Sequence, residues 1–457
     1  MRRWLERVAL VLLVAAAPVG VYLTPRQPSY PKHWDARVLD LVHYVEQQRG
    51  LRFKHPVDVQ FLDDAAFKAK VSPQEKPSAQ DKKSLDDSLA ELRALGLVQG
   101  HPDLLSSLDQ LSDEVVGLYV PEDQALYVRG TSLTPYVRGT IVHELTHAAQ
   151  DQWFDITKLE NKAEDDTIPR VLIEGDAVRI EEAYQQSLSE ADQRSYAETE
   201  QGFAASTSGN DVPPFLQDVF SYPYVFGPTM LDVLEADGGN ASVDKAFRHP
   251  PVTDAQVVDL RRYPLSFRPR KLPSPSLPAG AKATDDRHPF GQVGLLEVLG
   301  SRLGYDETWA AVQGWAGDVA RTYKQNGTTC VALDVAMSDD PAAQRLARAL
   351  DDWASGPSAS STRSGSVVSL RACDPGAAAQ APEPHPRAFD VLATRAQVIH
   401  GFVRAAHVGF ATARCMADRL LGALGPAQLV DLNDATTVPA AKAQEIQTIV
   451  GQAYQAC

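Results

Sequence analysis

The sequence His143-Glu144-Leu145-Thr146-His147 constrains the fold more than any other feature of this chain. Residues four positions apart share a face of an α-helix, so both imidazoles can point at one ion if the segment is helical. Glu144 then projects beside them, where it can take a proton from a water molecule bound to that ion. The spacing therefore predicts a helix that carries two metal ligands and a base.

The residues before the motif favour such a helix. Thr134 suits an N-cap and Pro135 suits the first helical position. Val137, Ile141 and Leu145 then recur at helical spacing, which is typical of a helix with a buried apolar face. The motif is therefore expected inside a buried amphipathic helix.

Two short apolar runs precede this helix. They cover Val115 to Val120 and Ala125 to Val128, and the four residues P-E-D-Q separate them. This pattern predicts a β-hairpin. An edge strand at this place can hold an extended peptide through main-chain hydrogen bonds.

A catalytic zinc site needs a third protein ligand and an open position for water. The segment from Thr167 to Tyr184 has the pattern of a second helix, and Glu174 lies in it, with 26 residues between His147 and Glu174. Val171 and Val178 share the face of Glu174, which makes this residue an acid on an apolar stripe. A buried carboxylate is costly unless it meets a cation, so Glu174 is the candidate third ligand.

Small residues follow the candidate ligand. Gly175 and Ala177 are expected to let this helix approach the histidine helix closely. The alternative interpretation places Glu174 at the surface of an acidic helix that also carries Glu181 and Glu182.

The segments H-E-L-T-H and I-E-G-D-A together resemble the gluzincins, metallopeptidases of the peptidase-MA-like group whose third zinc ligand lies in an E-G-x-A motif. Tyr224 to Gly227, Y-V-F-G, is similar to the helix start that supplies a transition-state tyrosine in gluzincin aminopeptidases. The following L-E-A-D-G-G-N-A-S-V-D-K-A-F resembles the helix-turn-helix after the active site in this group. The similarity covers roughly residues 35–270 and is specific at the zinc motifs.

The resemblance implies a zincin-like fold and a site for Zn²⁺. The implied metal ligands are His143, His147 and Glu174, and the implied catalytic residues are Glu144 and Tyr224. In the expected chemistry, zinc activates a water molecule and polarises the scissile carbonyl of a peptide or protein substrate. Glu144 passes the water proton to the leaving amine, and Tyr224 donates to the oxyanion.

One position departs from the pattern. In thermolysin-like gluzincins an acid four residues after the ligand glutamate supports a zinc histidine, and here that position is Val178. Asp176 is two residues after Glu174 and faces away on an ideal helix, so the sequence names no partner for the histidines. There is also no signature for binding an N-terminal amine, which favours an endopeptidase over an aminopeptidase.

The departure at Val178 leaves a second hypothesis open. The chain could be a cell-envelope interaction protein on a metallopeptidase fold, with little or no turnover. The intact motif with Glu144 argues against this alternative, because a retired site can lose its base freely.

The first 28 residues have the pattern of an export segment. Arg2, Arg3 and Arg7 precede an apolar run from Val8 to Leu23. The sequence leaves two interpretations open, a cleaved signal peptide and an uncleaved anchor that would attach the protein to the membrane. Both predict an extracytoplasmic protein, either secreted or membrane-anchored. The net charge of -15 argues against nucleic acid as a partner.

Four cysteines follow the zinc region at intervals of 43, 42 and 42 residues. These intervals do not match metal-binding pairs, and in an exported chain they predict two disulfides. Three pairings are open. We favour Cys330 with Cys373 and Cys415 with Cys457, because each pair then closes within one segment.

The overall pattern predicts a helix-rich α+β protein in four parts. After residues 1–28, residues 29–270 form the gluzincin-like peptidase domain, residues 281–373 a small α/β subdomain, and residues 389–457 a separate helical, disulfide-linked C-terminal module that offers a surface for an envelope partner. Pro-rich linkers cover 268–280 and 374–387, and a Ser/Gly-rich loop is expected over 355–366. His400, in the C-terminal module, has no acid or cysteine at ligand spacing and is expected to be a packing or surface residue.

Overall fold

The computed structural model describes residues 30–71, 78–113, 115–165, 167–207, 212–263, 267–356, 358–380, 384–435 and 438–457. The predicted export segment, residues 1–28, lies outside the described residues. The described elements form a mixed α+β fold that is rich in helix. Within these ranges, no helix combines the length and the apolar character needed to cross a membrane.

The helices are α1 (Leu39–Arg49), α2 (Asp64–Val71), α3 (Ala79–Ala94), α4 (Leu104–Asp113), α5 (Pro135–Phe154), α6 (Ile156–Lys162), α7 (Thr167–Ser187), α8 (Glu190–Thr207), α9 (Pro214–Arg248), α10 (Asp254–Val258), α11 (Gln292–Gly300), α12 (Tyr305–Val312), α13 (Asp340–Trp353), α14 (Ala388–Ala405), α15 (Phe410–Leu424), α16 (Pro426–Asp434) and α17 (Ala440–Ala456). The strands are β1 (Asp58–Leu62), β2 (Gly117–Val120), β3 (Ala125–Arg129), β4 (Lys282–Ala283), β5 (Trp315–Gln325), β6 (Thr328–Met337), β7 (Ala359–Ser364) and β8 (Val367–Cys373).

The smaller sheet has the order β1-β3-β2, with β1 parallel and β2 antiparallel to β3. The β2–β3 pair confirms the predicted hairpin, and Gln124 closes its turn with a φ of 50°. Because β2 pairs with β3 on one side only, it is an edge strand. The motif helix α5 lies against it.

The larger sheet has the order β4-β5-β6-β8-β7 and is antiparallel throughout. The expected Ser/Gly loop over 355–366 was wrong for residues 359–364, where β7 pairs with β8. All six residues of β7 are serine, threonine, arginine or alanine with exposed or half-exposed side chains, so the strand lacks the apolar alternation that identifies strands in sequence.

Both predicted disulfides are confirmed. Cys330 and Cys373 lie directly opposite each other on β6 and β8, and their sulfurs are bonded. Cys415 of α15 is bonded to Cys457, which directly follows α17.

Helix α7 connects two hydrophobic cores. Its first half places Val171 and Leu172 in the larger core, which also holds the inner face of the large sheet. Its second half places Ile180 in the core beneath α5 and the small sheet, where Ile141 and Leu145 are fully buried. Glu174 lies between these halves, so packing on both sides fixes its position.

The C-terminal helices share the larger core. Ala388, Val391 and Leu392 of α14 are buried with side chains of α9, α11 and the large sheet. Thr229 of α9 also donates from its hydroxyl to the carbonyl of Ala396, at 3.1 Å. Helix α14 is thus packed against the helices that form the candidate site described below.

A charged cluster joins α14 to α7 and α9. His400 Nδ1 lies 3.0 Å from Asp232 Oδ2, and its Nε2 lies 3.7 Å from Glu182 Oε1. Arg404 forms an ion pair with Glu182 as well. Burial alone would lower the pKa of His400, but the carboxylates of Asp232 and Glu182 outweigh it and raise this pKa to about 9.

This raised pKa predicts a pH dependence of stability. A histidine whose pKa is higher in the folded than in the unfolded protein stabilises the fold fully below about pH 6.5, and this contribution disappears as the pH rises through 9. We expect His400 to account for a fall of about 2 kcal/mol in the free energy of unfolding across that interval. Urea denaturation at a series of pH values should show this fall in the wild type and not in His400→Gln. Identical pH profiles of the two proteins would contradict it.

Candidate metal centre

The motif helix forms as its flanking residues predict. The Thr134 hydroxyl accepts a hydrogen bond from the Val137 amide at 3.3 Å, and Pro135 is the first helical residue. The helix ends where Asp155 adopts a left-handed conformation, with a φ of 59°. His143 and His147 are one turn apart on it and both are buried.

A carboxylate oxygen of α7 lies between the two imidazoles. Glu174 Oε2 is 3.2 Å from His143 Nε2 and 3.3 Å from His147 Nε2. In a tetrahedral zinc site with metal–ligand distances of about 2.0–2.1 Å, neighbouring ligand atoms lie about 3.3–3.4 Å apart. The two distances from Glu174 Oε2 are therefore compatible with one tetrahedral metal ion held by these side chains.

The motif residues form a group of their own in which a metal could bind. Side-chain ligand atoms of His143, Glu144 and His147 lie within 4.8 Å of one another. Glu144, however, already accepts a hydrogen bond through Oε2 from the backbone amide of Tyr119, at 2.7 Å. Because Glu174 meets both imidazoles and Glu144 faces the edge strand, the geometry favours Glu174 as the third ligand.

The charges at the site explain why a carboxylate can be buried there. Burial would raise the pKa of Glu174, but His147 and His143 outweigh this effect and lower it. Burial would lower the pKa of His143, yet Glu174 and a second acid, Glu181, raise it well above its usual value. The buried carboxylate therefore requires a positive charge nearby. When both imidazoles are neutral, a bound divalent cation would supply that charge.

The second acid was missed in the sequence. Glu181 Oε2 lies 2.9 Å from His143 Nδ1, and Tyr196 of α8 donates from its hydroxyl to Glu181 Oε1 at 2.6 Å. This contact turns His143 Nε2 towards Glu174. Glu181 follows Glu174 by seven residues, which places both acids on one face of α7, and this spacing was the signal available in the sequence.

A separate buried network orients the second histidine. His147 Nδ1 lies 3.0 Å from Gln150 Oε1, and Gln150 Nε2 donates to the carbonyl of Ile173 at 3.0 Å and to Asp176 Oδ2 at 3.2 Å. Asp176 is fully buried and also accepts a hydrogen bond from Arg49 at 2.6 Å. Asp176 indeed points away from the imidazoles, and Gln150 connects it to His147.

Tyr224 lies beside the histidines. Its ring is nearly parallel to that of His143, with 6.4 Å between centroids. Although 48% of Tyr224 is exposed, desolvation of the phenol and the negative charges of Glu174 and Glu144 raise its pKa well above the usual value. A tyrosine phenol carries its proton at neutral pH, so Tyr224 can act as a hydrogen-bond donor.

The expected helix start at Tyr224 was wrong. Tyr224 lies inside α9, which begins ten residues earlier at Pro214. Pro223 and Pro228 within this helix mimic boundary signals in the sequence. The expected helix-turn-helix further along is present, because Gly238 and Gly239 interrupt the helical conformation of α9.

Gly175 meets a different helix from the one expected. A Cβ at Gly175 would lie 2.5 Å from the carbonyl carbon of Gly227 on α9, and a Cβ at Gly227 would lie 2.6 Å from the carbonyl oxygen of Val171. The small residue beside the candidate ligand thus permits close contact between α7 and α9, not between α7 and α5. This contact is what brings Tyr224 towards Glu174.

The close contact between α7 and α9 at Gly175 predicts that one added methyl group destabilises the fold. Gly175→Ala should destabilise the fold by about 1–3 kcal/mol, because the added methyl meets backbone atoms that cannot move aside cheaply. Gly202→Ala on α8 is the matched control, since a Cβ there meets no heavy atom of the described residues within 4 Å. The control should be neutral or slightly stabilising. Equal denaturation midpoints for the two variants would contradict the close contact.

Comparisons of this chain with family models, with curated proteins and with solved structures return no match. The resemblance to gluzincins therefore rests on the motif residues themselves.

Proposed function

We propose that this chain is a gluzincin-like zinc metallopeptidase with a zincin-like catalytic domain. The observation that carries the proposal is the position of Glu174 Oε2, at 3.2 and 3.3 Å from the Nε2 atoms of His143 and His147. Two imidazoles and one carboxylate, with a glutamate base beside them, are the donor set of a catalytic rather than a structural zinc site.

The proposed reaction is hydrolysis of a peptide bond within a peptide or protein substrate. Zinc, when bound by His143, His147 and Glu174, supplies Lewis acidity that makes water more acidic and the scissile carbonyl more electrophilic. Glu144 accepts the proton of the attacking water and delivers it to the leaving amine. Tyr224 donates a hydrogen bond from its phenol to the oxygen that gains negative charge.

The position of β2 supports a role in holding the substrate. The Tyr119 amide points away from β3 and donates to Glu144, so this edge of β2 faces the site. The Tyr119 hydroxyl also donates to Asp151 of α5 at 2.9 Å, which fixes the strand to the helix. An extended peptide can add to such an edge through main-chain hydrogen bonds, with its scissile bond beside Glu144.

The proposed location is extracytoplasmic. The two disulfides support it, because such bonds persist in oxidising compartments. Residues 1–28 would direct export, either as a cleaved signal peptide or as a membrane anchor. The helical C-terminal region remains the candidate surface for an envelope partner.

One mild argument for the alternative, an interaction protein without turnover, was the absence of an acid at Val178. The carboxylate partner that His143 has in Glu181 weakens this argument. The remaining difference between the hypotheses is turnover itself.

One experiment separates the two hypotheses. The purified protein should contain about one zinc per chain by elemental analysis and should cleave members of a mixed peptide library. A chelator should abolish cleavage, and added Zn²⁺ should restore it. Zinc content with no cleavage would favour the interaction protein, whereas absence of zinc after metal-replete purification would exclude both zinc-based hypotheses.

A further inference from the structure

A second site lies away from the metal centre. An open cavity of about 390 Å³ is lined by the turn at Leu260–Arg262, by α11 and α12, and by α14 to α16. None of the proposed metal-centre residues lines it. Its volume is within the range of about 300–1,000 Å³ that is usual for small-molecule sites.

On one side of this cavity, two arginines share one aspartate. Arg395 Nε donates to Asp418 Oδ1 at 2.7 Å, and Arg414 Nη1 is 3.4 Å from Asp418 Oδ2. Arg395 is only 6% exposed, and a guanidinium carries five donor hydrogens. Among the described residues, one carboxylate therefore leaves most of the donors of this pair available to another acceptor.

A second group of lining residues repeats the arrangement. Arg261 binds Asp259 through two hydrogen bonds of 2.7 Å, and Arg262 Nε lies 3.7 Å from the same carboxylate. In all, four arginines and three aspartates line the cavity, which leaves a net charge of +1 there in a chain of -15. Arginine is therefore in excess over aspartate at this cavity, although the chain as a whole is acidic.

Polar atoms in the wall also lack partners. Tyr305 is 4% exposed and Gln292 is 3% exposed, yet the hydroxyl of the first and Oε1 of the second have no hydrogen-bond partner among the described residues. The same holds, in this part of the chain, for Arg414 Nε. Gly425 and Pro426, where α16 begins, add the positive end of a helix to the lining. Buried polar groups normally have partners, so these atoms indicate a site for a polar ligand.

We propose that this cavity binds a small organic anion that carries carboxylate or phosphate groups. Arginine pairs recognise such groups through paired, charge-assisted hydrogen bonds. Two arginine–aspartate clusters line the cavity, so a ligand with more than one acidic group could contact both. The site is independent of the metallopeptidase proposal.

A cavity-filling variant tests this proposal without changing any charge. Gly422 of α15 lines the cavity, and a Cβ there meets no heavy atom of the described residues within 4 Å. Gly422→Leu should therefore fold and place its side chain in the cavity. Gly401→Leu is the matched control. Gly401 lies in α14, a Cβ there also meets no heavy atom of the described residues within 4 Å, and Gly401 does not line the cavity.

The probes are succinate and inorganic phosphate, titrated into the full protein by calorimetry and by thermal denaturation. We expect one of them to bind the wild type and Gly401→Leu alike, with a rise of a few degrees in Tm at saturation. Gly422→Leu should bind at least about tenfold more weakly, and Arg414→Gln should also lose affinity. Succinate binding would identify the carboxylate class, and phosphate binding the phosphorylated class. No binding of either anion to the wild type up to about 10 mM, or equal affinity of the two leucine variants, would overturn the proposal.

Discussion

Glu144→Gln should retain zinc and fold normally, but lose several orders of magnitude in peptide hydrolysis. In the proposed site Glu144 contributes no metal bond, and its Oε2 is held by the Tyr119 amide at 2.7 Å. The amide of glutamine has the same shape and can keep that contact, but it cannot accept the water proton. General base catalysis alone is typically worth about 10² to 10⁴ in rate, and Glu144 also orients the water, so the loss should exceed this range. The measurement is kcat/KM on a peptide found to be cleaved, with zinc content measured in parallel.

Two further variants calibrate this loss. Tyr224→Phe should reduce the rate by about 10² to 10³, since it removes one donor to the oxyanion. Asp151→Asn, on the same helix as Glu144, changes a carboxylate that contacts the strand but not the metal centre, and should have a small effect. If Glu144→Gln cleaves peptides as fast as the wild type, the metallopeptidase proposal fails and the interaction protein takes its place.

Local signals explain why much of the fold could be predicted. Thr134 and Pro135 fix the start of α5 through backbone chemistry that does not depend on the rest of the molecule. The hairpin before it is equally local, because its two apolar runs need only a short turn to pair. The disulfide pairs were predicted for a similar reason, since each closes within one segment.

The failures concern contacts between distant segments. No local pattern connects Tyr196 with Glu181, because that contact depends on how α8 packs against α5 and α7. The role of Gly175 was misjudged for the same reason, since only the structure reveals that α9 and not α5 passes closest to it. Motif spacing therefore finds the residues that meet a ligand, whereas the side chains that orient them depend on tertiary packing.

The distinction between metal ligands and the side chains that orient them predicts the second large effect, a graded loss of bound metal. Glu174→Ala removes one of three proposed ligands and should reduce bound zinc to less than about one tenth of an ion per chain after dialysis. Glu181→Ala leaves all three ligands in place but removes the acceptor for His143 Nδ1. Loss of such a partner typically weakens metal binding by about 10- to 100-fold, so Glu181→Ala should show an intermediate affinity.

The neighbouring acid provides the control for this series. Glu182 adjoins Glu181 on α7 but pairs with Arg404 and His400 instead of with His143 or His147. Zinc titration with a competing chelator should therefore rank Glu182→Ala with the wild type, Glu181→Ala below it, and Glu174→Ala lowest. Equal zinc affinity of Glu181→Ala and Glu182→Ala would show that His143 needs no carboxylate partner. Unchanged zinc content in Glu174→Ala would exclude Glu174 as a metal ligand. The position of its carboxylate between the two imidazoles would then reflect salt bridges alone.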